Sequence, residues 1–199
     1  MRHPVTTGQL QKWYAAPVRL PQEKTSLRRP PMIEIVKREI SEAYGPLDKP
    51  NFEFEKDENR RSAYEPFIRD LAASLLMDNL SFFKIANVTD VNSDHGFTFI
   101  IQSGGEWWLQ LSFVGLYAVL MRLTERATLE VIDPDDGNKS ATENLLIQLI
   151  ATNGIHLLDK ETLEIPIDLK LFDTEPENVR VYQALFSDRD VPPWRVVVP

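Results

Sequence analysis

The side chains able to do chemistry in this chain are mostly carboxylates, because it has three histidines and no cysteine. Without cysteine there is no disulfide, no thiolate zinc site and no thiol nucleophile. His3, His95 and His156 are far apart, and none has a partner at metal-ligand spacing. A serine triad would need His95 or His156 as base, and no serine stands in a recognisable nucleophile turn. GxxxxGK, GxGxxG, HExxH and GxSxG do not occur, which removes the enzyme classes that those motifs carry. Two groupings remain. Glu55, Asp57 and Glu58 form an acidic triplet that could clamp a cation, although acidic loops are mostly solvated. Pro134-Asp135 and Asp168-Leu169-Lys170 supply carboxylates and a lysine at a spacing worth pursuing.

Pro134-Asp135 followed by Asp168-Leu169-Lys170 resembles the PD-(D/E)xK nuclease pattern. The resemblance covers five residues. It implies that Asp135 and Asp168 hold Mg²⁺ while Lys170 orients or activates the attacking water, since hard cations prefer carboxylate oxygen and a metal lowers the pKa of bound water. The charge argues the other way. Residues 1–31 carry Arg2, Lys12, Arg19, Lys24, Arg28 and Arg29 against Glu23, a balance of +5; the whole chain is -8, which leaves -13 on residues 32–199. Such a body repels phosphate backbones and attracts basic protein surfaces. The spacing Asp90, Asn92, Asp94 resembles the opening of a calcium loop. It lacks the glycine and glutamate that complete one, because His95 and Ile101 occupy their places.

The elements that must position these residues centre on Gly96 to Phe113. This stretch reads as a hairpin turning at Gly104-Gly105, since a two-residue turn needs positive φ. That turn sets Ile101 opposite Trp108, Ile100 opposite Leu109 and Thr98 opposite Leu111. Phe97, Phe99, Ile101 and Trp108 then share one face, and Ile100, Trp107, Leu109, Leu111 and Phe113 the other. Both faces are apolar, so the hairpin is central and covered on both sides. The tryptophan pair reads as core packing, with ligand stacking or partner anchoring by one of the two as the alternative.

Helical periodicity covers 32–44, 66–83, 140–153 and 176–186, with capping-box spacing at Ser62/Glu65, Ser140/Glu143 and Thr174/Glu177. Strands are expected at 84–91, 117–123, 128–132 and 163–172, the last demoted to an edge by Pro166, and 117–123 has a helix through Leu116, Val119, Leu120 and Leu123 as its alternative. Residues 45–61, with Phe52 and Phe54 among acids, read as an edge strand or mobile loop. Residues 1–31 read as a basic, proline-containing arm in which Trp13-Tyr14 could dock onto the domain or onto another subunit.

The expectation is therefore one α+β domain over 32–199, a mainly antiparallel sheet of about five strands packed by about four helices. No apolar run reaches the roughly 20 residues of a membrane span, and a cytoplasmic place follows as an expectation. The leading functional expectation is a non-enzymatic protein-binding module with no cofactor and a basic partner, similar in make-up to the immunity proteins of bacterial toxin systems. Its contact residues would be Glu53, Glu55, Asp57, Asp133, Asp135 and Asp136, with Tyr182 or Trp194 as anchor, and the arm could add self-association. The alternative is an Mg²⁺-dependent nuclease using Asp135, Asp168 and Lys170.

Overall fold

A computed structural model describes residues 31–77 and 84–197, and within them an antiparallel sheet is packed by helices on both faces. The expected arm, including Trp13-Tyr14, and the last turns of the expected 66–83 helix lie outside the described residues. The α+β class stands. Helix α1 (Met32–Tyr44) is followed by a short 3-10 turn at Glu53–Lys56 and by α2 (Glu58–Ser62) and α3 (Glu65–Met77). Strands β1 (Lys84–Asn87), β2 (Gly96–Gln102), β3 (Glu106–Ser112), β4 (Tyr117–Leu123) and β5 (Leu129–Val131) then form a continuous meander. Helix α4 (Ala141–Thr152) returns the chain to a two-residue strand, β6 (His156–Leu157), parallel to the start of β4. Two short helices, α5 (Lys160–Leu163) and α6 (Val181–Leu185), lead to the C-terminal segment.

The hairpin differs from its expected register by one residue. Gln102 pairs with Glu106, so the loop holds three residues, Ser103-Gly104-Gly105, and only Gly104 takes a positive φ, of 65°. Two-residue turns need positive φ at one or both central residues, and three-residue loops are the next commonest hairpin connection, so the glycine pair alone did not fix the loop length. The slip sends a whole set of side chains to the other face. Trp107, Leu109 and Leu111 join Phe97, Phe99 and Ile101, whereas Trp108 and Gln110 join Thr98 and Ile100.

The first of these faces is dry. Ile101, Leu109, Leu111 and Leu120 are fully buried there, and Phe67 and Leu71 of α3 and Leu146 and Ile150 of α4 belong to the same core. The second face is covered by α1, α6 and the chain after α6. Tyr44 of α1 donates to the Ala184 carbonyl at 2.8 Å, and Tyr182 of α6 donates to Gln110 Oε1 at 3.0 Å.

Gly96 is required by the close approach of β2 to β3, because a Cβ there would collide with the Leu111 carbonyl. One expected cap is present in full. Glu143 N–H donates to Ser140 Oγ at 3.1 Å, and Ser140 N–H donates to Glu143 Oε2 at 2.7 Å. The other two are not caps. Ser62 ends α2, which Asp57 caps, and its hydroxyl donates back to the Asn59 carbonyl. Thr174 donates to buried Asp188 at 2.8 Å, so its oxygen serves no helix; only a 3-10 turn forms at Pro176–Asn178.

The expected strand at 163–172 is extended chain without a ladder. Pro166 brings no N–H, one isolated bridge joins it to Arg180, and Lys170 N–H is taken by the Leu47 carbonyl. The expected edge strand or loop around Phe54 is the 3-10 turn, and Phe54 is in the core. The strand expected over 84–91 ends at Asn87.

Candidate functional site

The expected nuclease residues sit in separate settings. Asp135 lies in the β5–α4 loop, where its N–H donates to Asp133 Oδ1 at 2.8 Å. Asp168 and Lys170 lie on the extended segment after α5, both exposed. Among the described residues no hydrogen bond or ion pair joins Asp135 to either, and no group of three His, Asp or Glu side chains is placed to hold a metal. The calcium-like turn is satisfied internally: Asp90 accepts from Asn92 N–H and Ser93 Oγ, and Asp94 accepts from Asp90 N–H.

The expected partner residues divide between two loops and the interior. Asp133, Asp135 and Asp136 share the exposed β5–α4 loop. Glu53, Glu55 and Asp57 share the 3-10 turn before α2, where Glu53 pairs with Lys56 and Asp57 with Arg60. Tyr182 is not at the surface. It is 2% exposed, and burial pushes its hydroxyl well above its ordinary pKa of 10.0, so it stays a proton donor. Trp194 is half-buried: its indole N–H donates to Glu164 at 3.0 Å and its ring meets Tyr182 edge-on at 4.8 Å. That pins the C-terminal segment rather than presenting an anchor.

Glu55 has a role of its own. Its Oε1 lies 2.7 Å from His95 Nδ1, and the imidazole is 3% exposed among Tyr44, Phe52 and Phe54. A carboxylate behind a histidine is the arrangement that orients a general base. Among the described residues His95 Nε2 is buried without a hydrogen-bond partner, and His95 does not line the cavities of about 330, 220 and 190 Å³. The pair ties the 3-10 turn to the start of β2. The His95 backbone completes the tie, donating to the Phe186 carbonyl and accepting from Phe113 N–H.

Two features could meet another molecule. The first is Phe172, 83% exposed, whose ring centroid lies 4.9 Å from that of Phe52. Its backbone is held from below by Asp188, which is 3% exposed and accepts from Phe172 N–H at 2.7 Å, Asp173 N–H at 3.1 Å and Thr174 Oγ1. A notch of about 190 Å³ beside it is lined by Asp48, Lys49, Pro50, Phe52 and Lys170. Sequence reasoning overlooked this residue although the signal was present. Ile165, Ile167, Leu169 and Leu171 alternate inward, which puts Phe172 outward with Asp168 and Lys170.

The second feature is a cavity of about 330 Å³ between the second face of the sheet and the C-terminal segment. Ile100, Trp108 and Leu129 form its sheet wall, and Val191, Pro193 and Val196 its outer wall. Its polar end is a connected chain. Tyr182 donates to Gln110, Gln110 to Thr98 at 3.2 Å, Thr98 to Asp94 at 2.9 Å, and Ser187 to Asp94 at 3.0 Å. Arg189 stands nearby, with Nη2 on Asp90 at 3.0 Å and Nε on Ser93.

Scans against protein-family models, curated proteins and solved structures each return no match for this chain. No helix among the described residues is long and apolar enough to cross a membrane.

Proposed function

We propose that the protein is a non-enzymatic protein-binding module that docks a basic partner around Phe172, in the manner of an immunity-type inhibitor. The observation that carries this reading is the exposure of Phe172 on a fixed backbone. Leaving a phenylalanine in water forgoes roughly 1.5–3 kcal/mol of burial, so a fold that holds one outward has an unused apolar anchor. Asp188 fixes the segment in advance, which reduces the ordering cost on association. Aromatic anchors of this kind are the residues on which interface energy concentrates. The adjacent notch offers room for one partner side chain.

Charge supports a basic partner. Residues 32–199 carry -13, and on the segments around Phe172 exposed Asp48, Asp168, Asp173 and Glu175 outnumber Lys49 and Lys170 of the notch. Complementary fields of that kind speed encounter and select partners more than they add affinity.

The test is a tagged pull-down from native cells with wild-type protein and Phe172→Asp in parallel. A stoichiometric basic protein is expected with wild type, its toxic activity neutralised by the complex, and at least tenfold less of it with Phe172→Asp. Equal capture by both proteins would remove Phe172 from the interface and with it this reading. Cleavage of DNA or RNA that needs Mg²⁺ and disappears in Asp168→Ala would replace it with the nuclease alternative.

A further inference from the structure

The cavity beneath the C-terminal segment is separate from the Phe172 surface and shares no lining residue with the notch beside it. At about 330 Å³ it falls at the lower end of the roughly 300–1,000 Å³ typical of small-molecule sites. Its composition also fits one, with apolar walls and a few convergent polar groups at one end. The direction of each hydrogen bond decides what those groups can accept.

Three hydroxyls line the polar end, and all three have committed their protons. Thr98 and Ser187 donate to Asp94, and Tyr182 donates to Gln110. Thr98, Tyr182 and Ser187 are 4%, 2% and 1% exposed, so the acceptor that opens on the cavity is half-buried Asp94, whose two oxygens accept from Asp90 N–H, Thr98 and Ser187 but retain further capacity. The charges are equally one-sided. Arg189 also lines the cavity, but Asp90 matches its charge at 3.0 Å. Among the described residues no cationic side chain lies within ion-pair distance of Asp94, which leaves one half-buried carboxylate uncompensated at the end of an apolar cavity. Trp108 adds an aromatic wall on the same sheet face as Thr98 and Gln110.

From this geometry we infer that the cavity binds a small primary amine with an apolar body, its ammonium on Asp94 and its body against Trp108, Ile100 and Leu129. An ammonium carries three donors and no acceptor, the complement of a carboxylate with unused lone pairs. An aromatic wall near the carboxylate adds attraction for a cation. A carboxylate ligand would meet Asp94 head-on, and a neutral alcohol would use the cavity without its charge.

The test compares 2-phenylethylamine, 2-phenylethanol and 3-phenylpropionate as ligands of the full chain by isothermal titration calorimetry at neutral pH. The amine is expected to bind at least tenfold tighter than the alcohol, and the acid more weakly than either. Asp94→Asn should bring the amine down to the level of the alcohol. Val191→Trp, at a half-exposed position on the outer wall, should abolish binding of both with no change in melting temperature. Should Asp94→Asn fail to fold, Trp108→Leu decides: the amine loses several-fold in affinity and the alcohol much less, because only the amine gains from the aromatic wall as a cation. Equal binding of the three ligands, preference for the acid, no binding of any, or an amine preference undiminished in Asp94→Asn or Trp108→Leu would each overturn the inference. None of these outcomes bears on docking at Phe172, which the Phe172→Asp pull-down tests alone.

Discussion

The two faces of the central sheet were built by the same two strands and came out differently. On the first, Trp107 is 5% exposed, its indole N–H held at 3.1 Å by Glu143, and apolar side chains from α3 and α4 close the layer. On the second, its neighbour Trp108 is half-buried, its N–H satisfied by Glu106 at 3.0 Å, and its ring borders a cavity instead of a core. Long apolar helices cover the first face, whereas the five-residue α6 and an irregular tail cover part of the second. Regular helices interdigitate to native density. A short helix and a tail leave room, and the polar side chains lining that room must satisfy one another.

Truncating the two tryptophans is the most direct way to break this comparison. Trp107→Ala should cost about 3–5 kcal/mol in a urea titration, because it opens a void in a closed layer and removes one of the donors that hold the Glu143 carboxylate. Trp108→Ala should cost well under half as much, since the lost surface borders existing space, and should weaken amine binding in the cavity. Equal losses in the two titrations would mean that the faces do not differ energetically.

Glu143 sharpens the contrast next. Burial acts to raise its pKa, but the Ser140 N–H, the Trp107 indole N–H and Arg122 outweigh it and hold the carboxyl below its ordinary 4.5. A carboxyl depressed in the folded state stabilises the fold above its unfolded pKa and loses that contribution as pH falls through the folded value. Stability should therefore decline below about pH 4.5 in part through this group. Glu143→Gln should cost about 1–3 kcal/mol at pH 7 and flatten that part of the acid limb. A full acid limb retained in Glu143→Gln would place the sensitivity elsewhere.

The smallest expected effect on stability is at Phe172. Phe172→Asp leaves a solvent-exposed site solvent-exposed, so thermal unfolding should move by no more than about 0.5 kcal/mol, even as partner capture is lost. A large destabilisation would instead mark Phe172 as part of the packing with Phe52.

Sequence periodicity gave the α+β class, the meander from β2 to β5 and the Ser140–Glu143 cap, because each rests on neighbours within a few residues. The same reasoning mistook Thr174 for a cap, since it could not know that Asp188 would claim the hydroxyl from fourteen positions away. Phe54 reads as part of an edge strand or mobile loop because acids surround it in sequence. In space it meets Tyr44 at 4.8 Å and His95 at 6.2 Å. The acidic residues expected at a partner contact were named for charge alone, and Glu55 proved to be held by His95.

What the sequence determined by itself was that two apolar-faced strands would meet at Gly104-Gly105 and be covered on both sides. Which tryptophan entered the core was decided by the tertiary structure, through one extra loop residue. Side chains alternate with a period of two, so a register shift of one exchanges the faces, and local propensity contains no term that resolves it. Packing does resolve it, because Glu143 of α4 waits on one face only, and Trp107 is the residue that reaches it.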